Sequence, residues 1–138
     1  MVAGSAAGGR TLLHQDLRAD NLLLTDDAVL VVDWPHARTG AAWVDLLWFA
    51  PSVAMQGGPA PEVLLRRFGP ANGADPDEID AVIAAIAGFF TLGSLLPDPP
   101  GLPTLRAFQA AQGAIARSWL AQRRGLDGSA GGASRADD

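Results

Sequence analysis

Side chains that can bind a metal ion or move a proton are concentrated in about a quarter of the chain. The candidates in this window are His14, Asp16, Asp20, Asn21, Asp33, His36 and Asp45. Carboxylate and amide oxygens suit Mg²⁺, which takes one or two protein carboxylates and completes its shell with water and substrate phosphate. A separate aspartate can accept a proton from a substrate hydroxyl. These residue types therefore indicate metal-assisted chemistry on a hydroxyl group.

A short β-hairpin is predicted to position these groups. Residues 22–24 and 28–32 are apolar runs on either side of the turn-like residues 25–27, a pattern typical of two paired strands. Asn21 and Asp33 flank the two strands at the same end, and Asp16 lies within loop reach of Asn21. We therefore expect the three side chains to lie close together, with residues 14–21 forming a polar loop before the hairpin.

The rest of the chain is predicted to be helical, which makes the fold class α+β and mostly α. Residues 41–56 read as a buried helix that Pro51 kinks or splits. Asp75 and Pro76 are a strong helix start, leading to a helix that ends near residue 95. The other predicted helices are residues 61–68 and residues 104–124. The last helix should bury one apolar face, formed by Leu105, Phe108, Ala111 or Gln112, Ile115 and Trp119. Its basic end should be solvated and contains Arg117, Arg123 and Arg124.

Composition narrows the class of protein. The net charge is −5, all ten basic residues are arginine, and there is no cysteine. We expect no nucleic-acid partner, because no basic face is clustered, and no membrane span, because no apolar run approaches about 20 residues. The expected compartment is the cytoplasm. Residues 1–9 are predicted to be a disordered leader, residues 10–124 the folded domain, and residues 125–138 a disordered tail.

Two motifs carry a family resemblance. Residues 14–21 read H-x-D-x-x-x-x-N, and residues 31–34 read V-V-D-W. This pair resembles the motifs of aminoglycoside phosphotransferases and of their choline and homoserine kinase-like relatives. The resemblance implies the C-terminal catalytic lobe of a protein-kinase-like fold, with a catalytic loop, a small hairpin and about four helices. It also implies Mg²⁺-dependent transfer of the ATP γ-phosphate to a hydroxyl of a small molecule.

The resemblance assigns roles by position. Asp16 would be the catalytic base, and Asn21 and Asp33 would hold the metal. His14 would brace the catalytic loop, and Asp45 would support that loop from behind.

Some positions depart from the family pattern. Gln15 stands where glycine is common. Arg18, which belongs to a segment that replaces the frequent L-H-P-G, lies two residues past the proposed base and could meet a phosphate. About thirteen residues precede His14 and the chain has no lysine. We therefore expect the N-terminal nucleotide lobe to be absent and the chain alone to be inactive.

Two alternatives stay open. The chain could be a non-catalytic remnant or interaction module that self-associates through exposed apolar surface. It could instead be a metal-dependent phosphoesterase using Zn²⁺ or Mn²⁺, with these ligands: His14, Asp16, Asp20, Asp33 and His36. The small-molecule acceptor is not readable from the sequence, although its pocket is expected near residues 89–95 and 108–119.

Overall fold

The computed structural model describes residues 8–126. Most of the predicted leader and tail, residues 1–7 and 127–138, lies outside the described residues. The described part is α+β and mostly helical, as the sequence predicts. The strands are β1 (Thr11–Leu13), β2 (Leu22–Leu24), β3 (Val29–Val31) and β4 (Arg38–Gly40). The helices are α1 (Val44–Met55), α2 (Pro61–Arg67), α3 (Pro76–Ser94) and α4 (Leu105–Arg123).

The predicted hairpin is confirmed. β2 and β3 pair antiparallel, with Leu22 opposite Val31. The ladder extends toward residues 14–21, the predicted catalytic loop, because the Val32 N–H donates to the Asn21 carbonyl at 3.0 Å. At the other end, the Thr25 hydroxyl accepts from the Ala28 N–H at 3.0 Å and closes the turn. The register therefore brings the chain positions of Asn21 and Asp33 to the same end of the hairpin.

A second β-ribbon was not predicted. β1 and β4 pair antiparallel, with Thr11 opposite Gly40 and Leu13 opposite Arg38. The two backbones come so close beside this ribbon that a Cβ at Gly9 would lie 2.3 Å from the Gly40 carbonyl oxygen. The ribbon ties together the chain just before the catalytic loop and the chain just after Asp33.

Helix α1 continues through Pro51. Of the two effects expected of Pro51, a kink or a split, the split is therefore wrong. Pro51 is fully buried, and packing on all sides outweighs the loss of its backbone hydrogen bond. The helix ends where Gly57 adopts a φ of +84° and the Gly58 N–H donates to the Val53 carbonyl at 2.9 Å, a turn that glycine permits without strain.

Helices α3 and α4 form the largest packed pair. Asp75 caps α3 by accepting from the Asp77 N–H at 2.9 Å, and Pro76 is the first helical residue, as predicted. The buried positions of α4 are Gln112, Gly113, Ala116 and Trp119. Burial of the predicted face is therefore confirmed at Trp119 and Gln112. Leu105, Phe108 and Ile115 are only partly buried.

The basic end of α4 is not a simple solvated end. Arg123 is largely buried and pairs with Asp80 of α3 and Glu62 of α2. Arg124 also reaches Asp80, at 3.0 Å. The sequence interpretation was wrong here because the acidic partners lie on helices distant in the chain.

Within residues 8–126, no helix has the length and apolar character needed to cross a membrane.

Candidate active site

The catalytic loop is attached to the first turn of α1. Asp45 accepts two backbone hydrogen bonds, from the His14 N–H at 2.6 Å and from the Gln15 N–H at 2.9 Å. A carboxylate has two oxygens and can serve both donors at once, and charge-assisted bonds of this kind are stronger than neutral ones. Asp45 therefore fixes the loop's first residues against the helical part of the protein.

His14 links the loop to the hairpin from a fully buried position. Its Nδ1 accepts from the Asp16 N–H at 3.2 Å, and its Nε2 lies 2.8 Å from the Val32 carbonyl. A backbone N–H can only donate and a carbonyl can only accept, so the ring is neutral with its proton on Nε2. Both nitrogens are occupied, which leaves His14 no lone pair for a metal.

Trp34 covers the histidine. Its ring meets the His14 ring edge-on, with centroids 4.7 Å apart. Its indole N–H donates to the Val31 carbonyl at 2.9 Å. The tryptophan of the D-W motif thus holds His14 in place rather than lying in the protein core, and it stays 42% exposed.

Asn21 is in direct contact with Asp16. The Asn21 amide nitrogen donates to the Asp16 carbonyl at 2.8 Å and lies 3.5 Å from the Asp16 carboxylate. Asn21 is only 5% exposed. Because the nitrogen end points at Asp16, the amide oxygen is the end that can serve a cation.

Two residues of the site have left-handed backbones. Gln15 has a φ of +67° and Asp33 a φ of +62°. Aspartate adopts this conformation more readily than glutamine, for which it costs about 1–2 kcal/mol. Strained residues of this kind cluster at functional sites. Gln15 directly precedes Asp16, and Asp33 follows the hairpin. The two left-handed backbones therefore lie at the positions of the site's carboxylates.

Arg18 lies between the loop and α4. Its Nε is 3.7 Å from the Asp16 carboxylate, and its Nη2 donates to Asp20 at 3.0 Å. The guanidinium carbon is 5.9 Å from the centre of the Phe108 ring, within range of a cation–π contact. Its Nε is buried and finds no hydrogen-bond partner within the described part of the protein. The contact with Phe108 was not foreseen, because nothing near Phe108 in sequence indicates the loop.

The structure does not gather the phosphoesterase residues. Asp20 and His36 are both exposed, and His14 uses both ring nitrogens as described. Across residues 8–126, no three His, Cys, Asp or Glu side chains are grouped to hold a metal ion. A Mg²⁺ site here would have to combine Asp33 with the Asn21 amide oxygen, water and phosphate. These donors match the chemistry that Mg²⁺ prefers.

A shallow surface pocket lies elsewhere, beside the Arg123 ion pairs. Its lining includes Glu62, Arg66, Trp119 and Arg123. Burial alone raises the pKa of Glu62. Hydrogen bonds from Trp119, at 2.8 Å, and from Arg123 outweigh burial and hold that pKa below its ordinary value of 4.5. None of the catalytic-loop residues lines this pocket, which we assign to the packing of α2 against α4.

Comparison with known proteins agrees with the motif. No curated protein and no solved structure matches the chain significantly. The profile of one family, described as the phosphotransferase enzyme family (APH), matches residues 3–82. The match covers more than half of the chain and includes the catalytic loop, the hairpin and α1. The chain therefore belongs to the phosphotransferase enzyme family, APH.

Proposed function

We propose that this chain is the C-terminal lobe of a protein-kinase-like enzyme and carries the catalytic residues of a small-molecule kinase. The reaction is transfer of the ATP γ-phosphate to a hydroxyl group. One observation carries the proposal: Asp16 is held at both ends of its backbone, by His14 at its N–H and by Asn21 at its carbonyl. A base held in this way is pre-oriented toward one direction of approach.

Asp16 acts as the proton acceptor. As the acceptor oxygen attacks the γ-phosphorus, the bond from that phosphorus to the β–γ bridging oxygen breaks and ADP leaves. The hydroxyl proton passes to the Asp16 carboxylate. Asn21 and Asp33 would hold Mg²⁺, which when bound supplies neutralisation of the phosphate charge. The Arg18 side chain lies beside Asp16 and is 30% exposed, a placement that suits contact between its guanidinium and a phosphate oxygen.

The catalytic test is Asp16→Asn in a preparation that includes a nucleotide-binding lobe, joined or added separately. Turnover of γ-labelled ATP into phosphorylated alcohol should fall about 10²- to 10⁴-fold, while circular dichroism stays unchanged. Asp26→Asn removes an exposed carboxylate at the hairpin turn and should leave turnover within about twofold. Full activity in Asp16→Asn would remove Asp16 from the mechanism.

The metal test uses the chain alone. Mn²⁺ takes oxygen sites similar to those of Mg²⁺, and with ATP present it should broaden the NMR signals of Asn21 and Asp33. Asp33→Asn should reduce the broadening, and Asp26→Asn at the hairpin turn should not. Equal broadening in both variants would contradict the assigned ligands. We expect the chain alone to turn over little ATP, because it offers no lysine to the phosphates. The compartment in which we expect it to act is the cytoplasm.

One observation favours a second candidate, self-association. The hairpin exposes four large apolar side chains: Leu23, Leu24, Val29 and Leu30, which are 51%, 78%, 60% and 49% exposed. A two-stranded hairpin is marginal alone and is stabilised by a partner. Sedimentation velocity should show concentration-dependent association that Leu24→Glu abolishes and Leu126→Glu does not. A monomer at all concentrations would eliminate this candidate.

A further inference from the structure

An aromatic cluster lies between α1 and α3. Trp48 meets Phe89 and Phe90 edge-on, with ring centroids 5.4 and 5.8 Å apart. Phe90 is buried, but Phe89 is 57% exposed and Trp48 is only half-buried. A cluster with one open side differs from a core cluster, since it can accept a further apolar group.

The exposed side of this cluster continues along α3. Leu92 follows Phe89 by three residues and is 68% exposed. Positions at this spacing lie on one side of a helix. Together Trp48, Phe89 and Leu92 form what we call the apolar strip.

The strip is connected to the catalytic loop through α1. Trp48 lies three residues after Asp45, so the two are surface neighbours on that helix. Asp45 in turn holds the backbone of His14 and Gln15. The aromatic cluster is therefore within one helical turn of the group that fixes the loop.

A second connection runs through α4. Arg18 of the loop lies over Phe108. The next residue, Gln109, contacts the last turn of α3 so closely that a Cβ at Gly93 would be 2.9 Å from its side-chain amide. The loop, the first part of α4 and the last part of α3 therefore meet at one end of the helical pair.

Charge decides what this region can bind. Residues 46–55 and 81–94 contain no charged side chain, and between residues 81 and 126 the only carboxylate is Asp98. The two nearby arginines already donate hydrogen bonds within the protein. Arg106 donates to the Pro97 carbonyl at 2.9 Å, and Arg117 donates to the Thr91 hydroxyl. A polycationic acceptor needs several carboxylates to offset its charge on binding, and the parts of the helices that border the strip do not provide them.

We infer that the apolar strip holds the body of the acceptor, and that the acceptor is an uncharged alcohol with an aromatic or aliphatic part. The inference rests on the proposed function, because it takes Asp16 as the group that meets the hydroxyl. Binding sites for small molecules typically combine an apolar wall with a few polar groups that fix orientation. The strip supplies the wall, and the catalytic loop supplies the polar groups.

The test measures binding to the whole chain without ATP. The probes are 3-phenylpropan-1-ol, which is neutral with an apolar body, and kanamycin, which is polycationic. The readout is the indole N–H signals in NMR, assigned by Trp48→Phe and Trp119→Phe. The neutral alcohol should shift the Trp48 signal, leave that of Trp119 in place, and bind about tenfold or more tightly than kanamycin.

A matched pair of variants tests the position. Leu92→Asp and Leu126→Asp make the same change at residues 68% and 72% exposed, and Leu126 follows the opposite end of α4. Leu92→Asp should weaken binding of the neutral alcohol about tenfold or more, because it places a charge where apolar surface is buried. Leu126→Asp should change it less than about twofold.

Three results would overturn the inference: tighter binding of kanamycin, a response at Trp119 without one at Trp48, or equal effects of the two leucine variants. Failure of the proposed function gives a different pattern. If the neutral alcohol binds at Trp48 but Asp16→Asn retains phosphate transfer, the strip stands and the assigned chemistry falls. If transfer depends on Asp16 but the strip does not bind, the acceptor lies elsewhere.

Discussion

Both oxygens of the Asp45 carboxylate are used by the loop. Each of its oxygens accepts one backbone N–H of the loop, from His14 and from Gln15. An asparagine has one oxygen and would present an N–H₂ group to the other donor. The loop's position is therefore sensitive to a change of one atom in this side chain.

Asp45→Asn should lower the free energy of unfolding by about 1.5–3 kcal/mol, because one buried N–H loses a charged acceptor. Urea unfolding measures the change. Asp20→Asn makes the same change at an exposed residue of the same loop and should lie within about 0.5 kcal/mol of the parent. Equal effects of the two variants would show that Asp45 does not hold the loop.

The left-handed backbone at Gln15 offers a second test. Glycine adopts a φ of +67° without strain, so Gln15→Gly should raise the free energy of unfolding by about 1 kcal/mol. Gln56→Gly is the matched control, because Gln56 ends α1 with a φ of −90°. There glycine relieves nothing and should be destabilising, because it loses more conformational freedom on folding. Thermal unfolding of the two variants should move in opposite directions, and a parallel shift would contradict the strain.

The loop and hairpin that carry the motif residues could be predicted from the sequence because their pattern is short and specific. Asp16, Asn21 and Asp33 lie on a loop and a hairpin whose pattern is local. Arg18 could be named but not placed, because its contact with Phe108 crosses most of the chain. The role of Trp34 as a cover for His14 has no local signal either, since a tryptophan in a motif can equally be buried.

At the scale of elements, the helices were more predictable than the ribbon of β1 and β4. Helices α3 and α4 are predicted by the spacing of their apolar residues, and the start of α3 is also predicted by the cap at Asp75. Each strand of the ribbon has three residues, too few for an alternating pattern to be distinguished from a loop. The ribbon forms because its two ends are brought together by the loop and hairpin between them.

The link between α2 and α4 should respond to acid. The folded protein holds the pKa of Glu62 below 4.5, so the ionised form is favoured by folding. This contribution to stability is complete above about pH 4.5 and is lost as the pH falls through the lowered value. Glu62→Gln should remove that acid dependence from urea unfolding midpoints.

Glu78→Gln is the control for this experiment. Glu78 lies in the first turn of α3. The substitution removes the same charge as Glu62→Gln and leaves the contacts of Arg123 in place. The acid dependence of the parent should persist in this variant. If Glu62→Gln keeps the parent's acid dependence as well, the ion pair between Glu62 and Arg123 does not couple folding to pH.

At the scale of the whole molecule, α4 closes the core. Trp119 is 2% exposed, and its indole N–H donates to Glu62 at 2.8 Å. Trp119→Ala should cost about 3–5 kcal/mol, a large part of the 5–15 kcal/mol typical of a domain. Trp119→Phe keeps most of the volume and loses the hydrogen bond, so its unfolding midpoint should lie between those of the parent and the alanine variant. A Trp119→Ala protein as stable as the parent would mean that α4 does not close the core.

The attachments of the catalytic loop differ in chain distance from the contacts that close the core. Asp45 is 31 residues from His14, Val32 is 18 residues from it, and Asn21 is five residues from Asp16. The contacts of α4 with α2 span 57 and 61 residues. During synthesis, every group that fixes the loop has joined the growing chain before α2, α3 and α4 exist. The hydrogen bonds around Asp16 therefore need not wait for the rest of the polypeptide to be made.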